Sequence, residues 1–202
     1  VAKMTNAITE DDEFLPMNRG FDEVYGDPGQ PAYFIPPQYD TRNPGNEGAG
    51  KIRKPHKDYY ITEDLTQRAR QFISQHKDEP FFLYIAHKAV HTPLEVTEKY
   101  LARLPKENFK SENRRLHAAM TAALDDSVGG VIQALRENGL EENTLIFFSS
   151  DNGGAGTADN SPLRAGKGST WEGGIRVPFI LQWKDTLTPR VRDTPVSSLD
   201  IL

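Results

Sequence analysis

Three short apolar runs constrain this chain most: FFLYIA at 81–86, TLIFFSS at 144–150 and VPFILQW at 177–183. Each is too short for an ordinary helix, so each reads as a strand, buried on both faces. Between the first two runs lies a longer periodic stretch. Leu116, Ala119, Ala123, Leu124, Val128, Val131, Ile132 and Leu135 keep a 3.6-residue spacing, which predicts a helix over about 112–138 with Asn138-Gly139 as its stop. An earlier helix is predicted from Thr62-Glu63-Asp64, read as an N-cap with acids in the first turn. Leu65, Ala69, Phe72 and Ile73 continue it, and Pro80 ends it. Helix, strand, helix, strand in alternation predicts an α/β fold, a mixed and mostly parallel sheet with helices on both faces. Gly129-Gly130 costs the long helix about 1 kcal/mol per residue, which predicts close packing against a neighbour there. Pro195–Asp200 reads as the start of a further helix, so the fold is expected to be incomplete at its C-terminal end and also at its N-terminal end.

Residues 27–58 break the pattern, with six of the fourteen prolines and little periodicity. A stretch of that kind inside a domain is commonly a functional loop, here a candidate substrate-facing one. The length of 202 residues suits one domain. Acids outnumber bases by 29 to 24, which argues against a nucleic-acid partner. No run approaches the roughly 18 apolar residues of a membrane span. Cysteine is absent, so these residues contain no disulfide, thiolate metal site or cysteine nucleophile.

In open α/β sheets, ligands gather at the carboxyl ends of the strands. Asp151 and Asn152 follow the second apolar run there. Their oxygens suit a hard cation such as calcium or magnesium, and they equally suit turn capping beside Gly153 and Gly154. His87 and His91 follow the first run, either as anion-binding or general-acid groups or as ordinary loop residues. The segment LRAGKGSTWEGGIRVP (163–178) sets Arg164, Lys167, Glu172 and Arg176 among four glycines. That combination suits an anionic group, because small residues let backbone amides approach; a plain surface turn is the alternative. Asp125 and Asp126 would point about 100° apart on a helix, which favours a solvated face.

Taken together, RGFDEVYG (19–26), PFFLYIAHKAVHTPLE (80–95), LDDSVGGVIQALRENGLEENTLIFFSSDNGG (124–154), PLRAGKGSTWEGGIRVPFI (162–180) and the closing VSSLDIL resemble the sulfatase family of the alkaline-phosphatase superfamily. The order and spacing agree over nearly the whole chain. The resemblance implies an alkaline-phosphatase-like fold, with residues 1–202 as the C-terminal part of a catalytic domain whose remainder is its partner. It implies a calcium ion, with magnesium the lesser alternative, of which Asp151 and Asn152 match the second ligand pair. Lys167 and His91 match the lysine and histidine at the sulfate, in binding and catalysis. The nucleophile it implies is a formylglycine made from a cysteine or serine in a C/S-x-P-x-R motif, which this sequence lacks.

AKMTNA (2–7) stands where the family has Gly-Lys-x-His-x-Gly. Lys3 matches the sulfate-binding lysine, and Thr5 replaces the histidine that helps expel sulfate. The implied activity is hydrolysis of a sulfate ester on a carbohydrate or aryl alcohol, in a periplasmic, secreted or lysosomal-type compartment. The alternatives are a phosphoesterase or phosphonate hydrolase of the same superfamily, and a pseudoenzyme that binds sulfated glycans without cleaving them. The 202 residues alone are expected to be inactive.

Overall fold

A computed structural model describes residues 16–26, 32–35, 39–40 and 58–201. Its elements in chain order are β1 (Tyr25–Gly26), β2 (Tyr39–Asp40), α1 (Ile61–Gln75), α2 (Glu98–Leu101), α3 (Glu112–Glu137), β3 (Ile146–Ser149), α4 (Glu172–Ile175) and β4 (Phe179–Gln182). The class is α/β, and its frame is the packing of α1 on α3.

The helices follow the apolar periodicity closely. On α1 the buried side chains are Ile61, Thr62, Thr66, Ala69 and Ile73, a stripe with three- and four-residue steps. The N-cap is Tyr60, so Thr62 does not cap this helix as predicted. Its β-branched side chain is buried against the core instead. On α3, the Ser111 side chain caps the start by accepting from Arg114 N, and Gly139 ends it at a φ of 70° that favours glycine. Where the helices cross, a Cβ on Gly130 would lie 2.8 Å from Thr66 Cγ2. The predicted close approach therefore holds at Gly130; a Cβ on Gly129 would meet nothing.

Two apolar clusters divide the interior. One gathers Tyr33, Tyr60, Ile61, Tyr100, Ala119, Met120 and Ala123. The other centres on Ile73, Ala134 and Leu135, with Phe81, Leu83 and Ile146 packed against it.

The strands depart further from expectation. Both ladders are antiparallel: Tyr25 faces Asp40 in one, and Ile146 faces Gln182 and Ser149 faces Phe179 in the other. A mostly parallel sheet is thus not what the described residues show. A parallel return needs a crossover running back along the strand, usually a helix. Between β3 and β4 the only helix is the four-residue α4, and the chain folds on itself at the end of β3 before returning. Residues 81–86 form no strand and belong to neither ladder. Phe81 and Leu83 face the second cluster while Phe82 and Tyr84 are 60% and 51% exposed, so the run is buried on one face and not on two. β3 shows the same alternation. The C-terminal segment forms a single 3₁₀ turn, Ser198–Ile201, where a helix start was predicted. Asp126 pairs with Arg103 at 2.8 Å on an exposed face, as the solvated reading of that residue requires.

Candidate functional site

The residues after the first apolar run form a turn that presents His91. Its Nδ1 lies 2.7 Å from Thr92 O. A carbonyl only accepts, so Nδ1 carries a proton and Nε2 is the ring nitrogen left to face other partners. Lys167 Nζ stands 3.5 Å from that Nε2. At the outer limit of a hydrogen bond this is a weak contact, but it brings an ammonium and an imidazole from positions 76 residues apart to one point. Both side chains are accessible to solvent, Lys167 the more so.

Lys167 is held by a compact knot of backbone beyond β3. Its N–H donates to Gly154 O at 3.1 Å, Gly153 N–H to Gly174 O at 2.9 Å, and Gly173 N–H to Arg164 O at 2.8 Å. These bonds close residues 164–173 into a loop and pin it to the segment that follows Asn152. The glycines are what permit it. A Cβ on Gly153 would sit 1.8 Å from Gly173 O, and one on Gly173 would sit 2.1 Å from Ala165 O. Glycine here serves loop-on-loop packing, where the sequence suggested room for an anion to approach backbone amides.

Asn160 completes the knot. Its carboxamide accepts from Gly154 N at 3.0 Å and donates to Gly154 O at 2.9 Å and Ala165 O at 3.1 Å. Arg164 lies over the Trp171 ring, 3.7 Å from its centroid, and Arg176 pairs with Glu172 at 3.5 Å. Of the basic residues in this segment, Lys167 is the one directed at His91.

Asp151 and Asn152 lie just beyond Ser150 at the carboxyl end of β3, and the next two residues are tied to Gly174 and to Lys167. Ser150 Oγ donates to Asn152 O at 2.9 Å, which leaves the Asn152 side chain uninvolved in that bond. A carboxylate and a carboxamide are the oxygen donors that calcium or magnesium takes. The donor chemistry fits a hard cation, and it supplies only part of the roughly six to eight oxygens that calcium takes. Among the described residues, no group of three or more histidine, cysteine, aspartate or glutamate side chains is placed to hold a metal. Lys3 and Thr5 lie outside the described residues, as does most of the 27–58 loop.

His87, four residues before His91, faces the opposite way. Thr66 Oγ1 donates to Thr62 O at 2.7 Å, so the Ser127 hydroxyl must donate to Thr66, and His87 Nε2–H to Ser127 Oγ at 3.3 Å. Burial pushes the His87 pKa from its ordinary 6.5 down to about 4, keeping the ring neutral. Its Nδ1 is buried with no partner among the described residues. This histidine belongs to the contact with α1 and α3, and not to the Lys167 pair. Residue type and spacing alone did not separate the two histidines; the family resemblance did, by matching His91. No signal in the sequence marked Asn160, which lies in an ordinary polar stretch.

Comparison with known proteins supplies the context for this geometry. The family model described as Sulfatase matches residues 1–202. Arylsulfatase J of Mus musculus is 39% identical over 180 residues, covering 82% of this chain and 29% of its own length. N-acetylgalactosamine-6-sulfatase of Mus musculus is 33% identical over 192 residues, covering 85% and 35%. The chain thus spans about a third of the length of these curated relatives. The crystal structure of Ps i-CgsB in complex with k-i-k-neocarrahexaose aligns with a TM-score of 0.71 at 37% identity, over 86% of this chain and 42% of that one. The fold is accordingly that of the alkaline-phosphatase-like sulfatases, and the chain belongs to the sulfatase family.

Proposed function

We propose that the protein carrying this chain hydrolyses a sulfate ester of a carbohydrate or aryl alcohol, with His91 and Lys167 at the sulfuryl group. The observation that carries this reading is the Lys167 Nζ to His91 Nε2 approach of 3.5 Å at the end of a glycine-locked loop. An ammonium fixed at that point offsets negative charge on sulfuryl oxygens as it builds toward the transition state. The His91 Nε2, once protonated, donates to the same group or to the departing ester oxygen. Asp151 and Asn152 would hold calcium, which when bound polarises the sulfuryl oxygens. The nucleophile is proposed to be a formylglycine on a cysteine or serine outside these residues, since no C/S-x-P-x-R motif stands among them. N-acetylgalactosamine-6-sulfatase, by its name, and the neocarrahexaose complex of Ps i-CgsB support a carbohydrate in preference to a simple aryl alcohol.

The test uses the full-length protein with 4-nitrophenyl sulfate and a sulfated oligosaccharide as substrates. Lys167→Ala is expected to lower kcat by at least about 100-fold, the scale seen when a group that stabilises developing charge is removed. Asp151→Ala is expected to abolish calcium binding, read by calorimetry, together with turnover. Wild-type turnover in either variant would remove that residue from the site. Binding of the sulfated oligosaccharide without release of sulfate would support a binding-only protein instead.

A further inference from the structure

One residue grips the turn that carries His91. Tyr33 is wholly buried, and its hydroxyl lies 3.0 Å from His91 N, 2.9 Å from His91 O and 3.0 Å from Lys88 O. A phenol has one proton to give, so it accepts the His91 N–H and donates to one of the two carbonyls. The same residue reaches the far side of the turn, where its backbone N–H donates to Glu95 Oε2 at 2.9 Å. Its carbonyl accepts from Ile61 N at 2.9 Å, at the first residue of α1. Its ring stacks on Tyr60, with centroids 5.7 Å apart, and Tyr60 in turn donates its hydroxyl to Glu95 O at 3.2 Å. Segment 88–95 is therefore held at one end by the Tyr33 hydroxyl and at the other by the Tyr33 backbone N–H and the Tyr60 hydroxyl.

The His91 ring takes its orientation from this turn, because Nδ1–H is bonded to the turn's own Thr92 O. Moving the backbone moves Nε2 relative to Lys167. We propose that Tyr33 is a positioning residue that fixes the His91 imidazole opposite the Lys167 ammonium. This rests on the reading of those two residues as the sulfate-binding pair. Desolvation raises the Tyr33 pKa, so the phenol stays protonated and the latch is insensitive to neutral or moderately alkaline pH.

The test is a double-mutant cycle in the full-length protein. Tyr33→Phe keeps the ring and its stacking and removes only the hydroxyl. It is expected to lower kcat/KM for 4-nitrophenyl sulfate by about tenfold, within the range that small misplacements of reacting groups produce. In a His91→Ala background the same change is expected to cost less than about twofold, because residues acting through one another are not additive. Where His91→Ala itself lowers turnover, an equal loss in both backgrounds, or no loss in either, would overturn the proposal. Glu95→Gln, which weakens the bond to Tyr33 N, is expected to repeat the pattern on a smaller scale and provides a second variant should Tyr33→Phe not accumulate.

Ring ¹⁵N shifts of His91 separate this proposal from the functional reading beneath it. If His91→Ala leaves turnover intact, the assigned role of His91 fails. The latch is then upheld if Tyr33→Phe (or Glu95→Gln) diminishes the Nδ1–H tautomer, and overturned if that tautomer is unchanged.

Discussion

His87 and His91 are the same residue type four positions apart, and their surroundings divide the work between them. His91 shows Nε2 to Lys167, while His87 is turned to Ser127 and kept neutral by burial. The second fact has a consequence for stability. An unfolded histidine takes a proton near its ordinary pKa of 6.5, whereas folded His87 resists until about 4. Between those values the unfolded state binds more protons, so stability falls as pH falls through that window. The shift corresponds to a loss of about 3 kcal/mol. His76 acts in the other direction. Hydrogen bonds to Glu79 and Glu23 raise its pKa, giving stability that is present below 6.5 and lost as pH rises through the folded value. Comparing His87→Leu with the parent cancels the His76 contribution. Chemical denaturation between pH 7 and 4 is expected to show a shallower acid loss in the variant, and an identical slope would show that His87 carries no such linkage. At this scale the sequence was only partly legible. The types of His91 and Lys167 could be read with the help of the surrounding motifs. Tyr33 could not, because a tyrosine in a proline-rich stretch has no periodicity to mark it as buried.

At the scale of elements, the knot 150–176 shows what the glycines are for. Gly173→Ala would set a Cβ 2.1 Å from Ala165 O and 2.5 Å from Arg164 O, both backbone atoms that cannot rotate away. The expected cost is about 3 kcal/mol, at the upper end for overpacking. It should appear as a lower thermal midpoint together with weakened sulfate binding, since the same bond closes the Lys167 loop. A midpoint within about 1 °C of the parent would show that the loop accommodates the methyl. Long-period elements were the most readable: α3 lies within one residue of its expected ends, because eight apolar positions in register leave little freedom. Residues 81–86 were not, since an apolar run names a strand only if a neighbour is there to pair with it. Two antiparallel strands likewise arose from the shape of a glycine knot, which alternation of elements does not encode.

Across the whole molecule, the two tryptophans mark the two ends of the β3–β4 ladder. Trp183, just beyond β4, donates Nε1–H to Glu142 O at 3.0 Å, near the start of β3. Trp171 belongs to the 164–173 loop, half exposed beneath the Arg164 guanidinium. Family membership was legible from the order of motifs along the chain, whereas this placement needed the fold. It gives the protein an internal lamp. The part of the emission that depends on Trp171 comes from a ring whose cationic neighbour shares a loop with Lys167. Sulfate titrated into the parent protein is expected to change the emission, while the Trp171→Phe variant should lose that response. A flat response in both would mean that the anion is taken without disturbing the stack. The arginine lid on Trp171, a packing detail in the fold, thus makes occupancy of the site something that can be watched by its own light.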